Sequence, residues 1–180
     1  MARRPRTSLV GKSVLVTGAG PVGLLAAQTA RALGAGREVV TDLSEFRLGF
    51  AEKVGLETEL ITGEPGSDPE FDVLLECSGA PDALAQGLWR LRNDGRAAMV
   101  GMPKQDVSLA LSRLNVRELS IFLVHRYAHT WPTALALVAD GRVDVSSIVT
   151  HHFDLAGTAE ALMLAKTAPD SVKAIIHPQR

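Results

Sequence analysis

Apolar residues in this chain come in two patterns: short unbroken runs, and longer stretches where they recur every three or four positions. Unbroken runs suit strands covered on both faces, and the wider spacing suits helices with one buried side. The first run, Val14-Leu15-Val16, leads into Gly18-Ala19-Gly20-Pro21-Val22-Gly23. An alanine- and leucine-rich segment follows to Gly34, and a second run closes on Asp42. The order is strand, tight turn, helix, strand, carboxylate. A second helix is expected over 43–54, with Leu48, Ala51 and Val54 at helical spacing and Gly55 placed to end it. Leu60-Ile61 suggests a short third strand. Residues 62–70, rich in Gly, Pro, Ser and acids, read as a loop where a complete doubly wound half would carry a helix.

The pattern continues with a strand over 71–77, a small-residue turn at Ser78-Gly79, and a helix over 81–91 that Asn93-Asp94-Gly95 should end. Strands are expected over 96–101 and 119–124. A helix over 131–140 has Thr130 as its cap, Pro132 in its first turn and Gly141 after it. Its Trp131, Leu135 and Val138 side reads as core. A short strand over 148–150, a helix over 157–167 and a strand over 172–176 complete the chain. Six strands alternating with helices predict an α/β fold, a doubly wound parallel six-stranded sheet of Rossmann type, over 11–147. A solvated leader, 1–10, precedes it and a helix–strand appendage, 148–180, follows.

Composition narrows the classes. The chain has 180 residues, 46% hydrophobic and 22% charged, which fits a soluble globular domain. A formal charge of −1 leaves no basic excess for neutralising nucleic-acid phosphates. No apolar run approaches the roughly twenty residues that span a bilayer. Cys77 is the only cysteine, so neither an intrachain disulfide nor a four-cysteine zinc lobe can form, and a cytoplasmic location is expected.

The opening unit carries the chemistry. Gly18 permits the sharp turn out of the strand, Gly20 clears a path for a pyrophosphate, and Gly23 lets the helix lie close to the strand. The helix start offers unpaired N–H groups to an anion. Asp42 is placed to accept both hydroxyls of an adenosine ribose, and its charge disfavours a 2′-phosphate, so NAD is expected over NADP. A glycine turn of another α/β protein, methyltransferase-like ones included, is the competing reading. Cys77, closing an apolar strand, reads as a buried or cofactor-lining thiol. His125 and His129 fall at a strand end and in a turn, and His151 and His152 on opposite faces of an extended segment, so no metal site is expected.

The elements VLVTGAGPVG, VVTDLSEFRL, ECSG, VGMP, HRYAHTWP and VTHHFDL occur in the order found in medium-chain zinc-dependent dehydrogenases. The chain resembles the sorbitol (polyol) dehydrogenase branch of that family, and the RY-x-x-TWP element is the most branch-specific part. The resemblance implies hydride transfer between a secondary alcohol of a polyol and NAD. It places Gly18, Gly20, Pro21, Val22 and Gly23 at the pyrophosphate, Asp42 at the ribose and Arg47 by the adenine. Cys77, Ser78 and Gly79 would line the cofactor; Val100, Gly101 and Met102 would flank the nicotinamide with Val124, His125 and Arg126. Arg126 and Tyr127 would reach the substrate. The position of His125 is usually phenylalanine in the family. Family members are about twice as long, with the catalytic zinc ligands on an amino-terminal GroES-like domain, so this chain is expected to bind NAD and not to turn over alone. A separately encoded GroES-like half, and a homodimer or tetramer built through the sixth-strand edge, are the implied partners. A non-enzymatic NAD(H)-binding or oligomerisation module is the alternative function, and L-idonate or a threonine-type alcohol the alternative substrate.

Overall fold

A computed structural model of the protein describes residues 8–63 and 68–179. Residues 1–7 of the expected leader and 64–67 of the expected loop lie outside the described residues. The first half follows the sequence pattern: β1 (Ser13–Thr17), α1 (Pro21–Ala32), β2 (Arg37–Asp42), α2 (Glu45–Lys53) and β3 (Glu57–Leu60). The second half holds β4 (Phe71–Glu76), α3 (Pro81–Trp89), β5 (Leu91–Met99), α4 (Leu111–Leu114), a 3-10 turn (Asn115–Arg117), β6 (Ser120–Leu123) and α5 (Trp131–Ala139). The tail is β7 (Val149–Asp154), α6 (Thr158–Thr167) and β8 (Lys173–His177).

β1 to β6 form one parallel sheet in the order β3-β2-β1-β4-β5-β6, and β7 and β8 pair in a separate parallel sheet. The strand order reverses between β1 and β4, where a ligand crevice opens at the carboxyl ends of a doubly wound sheet. Register aligns those ends: Thr41, Thr17, Glu76, Met99 and Leu123 stand side by side across the sheet. Successive residues of β1 serve opposite faces. Val14 and Val16 pack with Leu24, Ala27 and Ala30 of α1 and Leu48 and Ala51 of α2. Leu15 packs on the other face with Leu74, Leu91, Ala97 and Leu84 and Leu88 of α3. Burying one such side chain contributes about 1.5–3 kcal/mol, so the α1 face sets the floor beneath the glycine turn. Among the described residues no helix is long and apolar enough to cross a membrane.

Several expectations need correction. The helix over 81–91 ends at Trp89, and Asn93-Asp94-Gly95 belong to β5 instead of stopping the helix. Phe71 pairs with Leu91 but Val73 with Arg96, so the extra residues bulge out of β5, with Asp94 in the left-handed region at φ 57. Fully buried Leu91 pins this early start of the strand. Arg117 donates to the carbonyls of Trp89 and Leu91, satisfying the end of α3 from a distance. Thr130 precedes α5 but makes no side-chain cap, because its backbone is already near-helical at φ −101, ψ −10. Trp131, Leu135 and Val138 are exposed, not core; α5 buries only Leu137. The strand expected over 148–150 runs on to Asp154, because pairing with β8 extends it. α4 and the 3-10 turn were not expected, since four residues are too short to show a helical period.

The segment that leads into the tail is tied to α1 by a residue that carried no sequence signal. Gln28, buried in α1, accepts the Asp144 N–H through Oε1 at 2.7 Å and donates from Nε2 to the Asp144 carbonyl at 3.1 Å. Ile148 and Val172 join the same core. Asp144 itself is held down to about 2 by the Ser146 hydroxyl and the N–H groups of Ser147 and Ser146. Its contribution is therefore present above the ordinary carboxylate range and is lost as pH falls through about 2. Gln28→Ala is expected to cost about 1–3 kcal/mol by stranding both backbone groups. A thermal melt should show a fall of about 3–10 °C. An unchanged melting temperature would show that water replaces the amide without loss.

Candidate cofactor-binding site

Three turns meet at the carboxyl edge, after β1, β4 and β5. The first is the glycine turn. Gly18 adopts φ 93, and its N–H donates to the Thr41 carbonyl at 2.7 Å. A Cβ on Gly23 would sit 1.8 Å from the Gly18 carbonyl oxygen, so only glycine allows α1 to approach β1 this closely. Gly20 is different: nothing lies within 4 Å of the position a Cβ would take. It is the N-cap of α1, and the space in front of it is open. Pro21 follows at the first turn, which contains no acidic residue, whereas α2, α3 and α6 carry Glu45, Asp82 and Glu160 there. The first helical bond runs from the Leu24 N–H to the Gly20 carbonyl, so the N–H groups of Val22 and Gly23 have no partner within the helix. The end of α1 keeps its positive character.

Asp42 ends β2 and faces this turn. Its Oδ2 accepts the Ala19 N–H at 2.7 Å and its Oδ1 the Ser44 N–H at 2.9 Å. Ser44, not Asp42, caps α2, accepting the Arg47 N–H. Asp42 therefore links the glycine turn to the start of α2 and keeps free lone pairs on both oxygens. A cleft of about 420 Å³ opens beside it, lined by Gly18, Asp42, Leu43, Arg47, Ser78 and Ala83 among others. Arg47 brings a buried Nε with no hydrogen-bond partner.

The second turn is held by Glu76, which is 1% exposed. Its Oε1 accepts the N–H groups of Ser78 and Gly79 at 2.8 and 2.9 Å, together with the hydroxyls of Ser78 and Thr17. Its backbone carbonyl accepts the N–H groups of Val100 and Gly101, which opens the third turn. Gly79 and Gly101 are in backbone contact: a Cβ on Gly79 would meet the Met102 carbonyl oxygen at 2.8 Å, and one on Gly101 the Gly79 nitrogen at 2.3 Å.

The structure thus gathers Gly18, Asp42, Arg47 and Ser78 around one cleft; Gly20, Pro21, Val22 and Gly23 follow at the start of α1 and Gly79 follows Ser78, and none of these five lines it. Val100, Gly101 and Met102 lie further along the sheet edge. Val124, His125, Arg126 and Tyr127 are exposed beyond β6, with Tyr127 packed edge-on against Trp131 at 5.3 Å. None of these last four lines the cleft. Cys77 packs against the α1-side core, beneath Gly23. Burial, with Glu76 adding, pushes its thiol up to about 12, so it stays protonated and is no nucleophile at neutral pH. Iodoacetamide at pH 8 should label Cys77 in urea and leave it unlabelled in the folded chain; equal labelling of both states would contradict the burial. Among the described residues no group of three or more His, Cys, Asp or Glu side chains could hold a metal ion. His152 instead meets His177 across β7 and β8 at 2.8 Å, and His151 meets Thr150.

Glu76 and Ser44 were not singled out from the sequence. The available signal for Glu76 was a charge closing a mostly apolar strand; for Ser44 it was a hydroxyl residue just before a helix.

Residues 21–140 match the zinc-binding dehydrogenase family. Sorbitol dehydrogenase of Mus musculus is 38% identical over 177 residues, covering 91% of this chain and 49% of that protein. L-arabinitol 4-dehydrogenase of Hypocrea jecorina is 36% identical over 168 residues, covering 84% and 44%. An oxidoreductase of unknown specificity from Escherichia coli superposes with a TM-score of 0.86 at 27% identity, covering 94% of this chain and 51% of that one. The chain spans about half the length of the curated relatives it matches.

Proposed function

The chain belongs to the zinc-binding dehydrogenase family, on its medium-chain, sorbitol dehydrogenase-like branch, and from this premise we propose that it holds NAD(H) for hydride exchange with a secondary alcohol of a polyol. The observation that carries the reading is Asp42: a carboxylate at the end of β2, bonded to the glycine turn through Ala19 and opening on a cleft. When bound, the nicotinamide supplies the hydride acceptor. The protein's part is to hold and orient it. The start of α1 would hold the pyrophosphate: Gly20 leaves open space there and Val22 and Gly23 present N–H groups. The free lone pairs of Asp42 accept the ribose hydroxyls, and its charge repels a 2′-phosphate. Arg47, which lines the same cleft, would lie beside the adenine. Ser78 and Gly79 line the ribose side, Val100, Gly101 and Met102 the nicotinamide side, and Val124, His125 and Arg126 the far rim; Arg126 and Tyr127 reach the substrate.

Sorbitol and L-arabinitol dehydrogenases among the relatives support a polyol, with L-idonate or a threonine-type alcohol as the alternative. The family resemblance assigns activation of the alcohol to the GroES-like half. This chain by itself then binds NAD(H) without oxidising the polyol, until a GroES-like half supplies that function. β6 is one of the two outer strands of the sheet and Leu123 on it is exposed, which supports pairing with a second copy in a dimer or tetramer; we place the protein in the cytoplasm.

Fluorescence titration of the purified chain with NADH and NADPH tests the cofactor assignment. NADH should bind at least about tenfold more tightly, the effect of one lost or repulsive contact of about 1.4 kcal/mol. Failure to bind NADH would overturn the reading, and sorbitol oxidation by the chain alone with zinc would overturn the division of labour.

A further inference from the structure

Glu76 is a buried acid that dinucleotide contacts do not use. One of its oxygens is crowded with donors, while Oε2 is buried and has no hydrogen-bond partner. That oxygen faces the third turn: a Cβ added to Gly101 would approach it to 2.7 Å. Side chain and backbone of this one residue therefore reach all three turns. Thr17, at the foot of the glycine turn, and Ser78 and Gly79 bond to the carboxylate; Val100 and Gly101 bond to the carbonyl. Gly18 closes the circle, because a Cβ there would lie 3.0 Å from Ser78. Gly79 and Gly101 meet through backbone atoms, and Glu76 is the side chain that stands between the turns. Their spacing is then set by whatever fixes the Ser78–Gly79 segment. A carboxylate accepting several N–H and O–H groups is a stronger tie than a neutral acceptor.

We propose that Glu76 is a positioning residue for the dinucleotide: it sets the spacing of the three carboxyl-edge turns from within the sheet, without touching the ligand. The proposal rests on the cofactor reading above. It assigns to Glu76 a function that contact with ligand would not reveal, and it accounts for a fully buried acid at the end of a mostly apolar strand.

The test compares the full chain with Glu76→Gln, which keeps the size and one acceptor but removes the charge. Glu76→Leu, which removes both acceptors, is the harsher variant. Two readouts are taken, NADH affinity by fluorescence titration and amide hydrogen exchange of the unliganded chain. With Glu76→Gln, the Ser78 and Gly79 amides should exchange at least about fivefold faster while Val14–Val16 in β1 stay unchanged, and the NADH dissociation constant should rise about fivefold, because bonds to a charged acceptor are roughly twice as strong. Glu76→Leu, where it folds, should lose NADH binding by fiftyfold or more. Unchanged NADH affinity in Glu76→Gln would overturn the proposal. So would faster exchange spread evenly through β1 and β2, which would mean that Glu76 serves only overall stability. If the unsubstituted chain binds no NADH, the cofactor reading fails. Exchange at Ser78 and Gly79 then still decides whether Glu76 holds the turns, and exchange as slow as in the unsubstituted chain would overturn that too.

Discussion

Asp42→Ala is expected to weaken NADH binding by roughly a hundredfold or more. Hydrogen bonds to a charged group contribute about 1.5–3 kcal/mol each, and two ribose hydroxyls lose their acceptor together. The structure adds a second loss. The same carboxylate accepts the Ala19 and Ser44 N–H groups, so its removal also loosens the glycine turn against the start of α2. Asp42→Asn should rescue only part of the affinity. An amide must direct its NH2 at one of those two N–H groups, and donor then faces donor. With the negative charge gone, NADPH should lose less affinity than NADH, so the preference between them narrows. Parallel titrations with both nucleotides measure this. NADH affinity unchanged in Asp42→Ala would remove the residue from the site.

The second large effect separates two glycines that look alike in the sequence. Gly23→Ala should destabilise the chain by about 3 kcal/mol, the upper end of the usual cost of overpacking. Its new methyl would lie 1.8 Å from the Gly18 carbonyl oxygen, a backbone atom that cannot swing away. α1 must lift from the sheet, and the melting temperature should fall by about 6–12 °C. Gly20→Ala should leave the fold intact. Its backbone, at φ −72 and ψ 178, is one that any residue adopts, and its Cβ meets nothing within 4 Å. Loss of unfolded-state freedom could even stabilise it by about 0.4–1 kcal/mol. The methyl would occupy the approach to α1, so NADH binding should fall by tenfold or more while the melt is unchanged or higher. Equal melting temperatures for the two variants would show that the tight contact at Gly23 relaxes, and full NADH affinity in Gly20→Ala would place the pyrophosphate elsewhere.

Much of the fold was legible because the signals are local. Unbroken apolar runs marked the doubly covered strands, and the glycine turn with Asp42 twenty-odd residues on marked the unit that opens the sheet. What failed depended on distant partners. Asn93-Asp94-Gly95 has the composition of a helix stop, yet its place in β5 is decided by Phe71 pairing with Leu91 before the bulge. The apolar side of α5 looks like core in the sequence, but only Leu137 meets the body of the chain. Gln28 is unremarkable in sequence and becomes a tie between α1 and the segment entering the tail only when Asp144, 116 residues away, folds back onto it.

The site divides the same way. By itself, the sequence determined the turn chemistry: three glycines at fixed spacing, a proline at the helix start and an acid closing β2. These follow from backbone requirements within a span of thirty residues or so, and any chain with that segment must fold it in much the same manner. The tertiary structure alone decided how the three turns fit together. Glu76 is separated from Thr17 by 59 residues and from Gly101 by a whole strand and helix, and parallel pairing brings them to one edge. A parallel sheet joins strands distant in sequence, so which carboxylate ends up beneath which turn is fixed by register across β1, β4 and β5. No periodicity along the chain encodes that register locally.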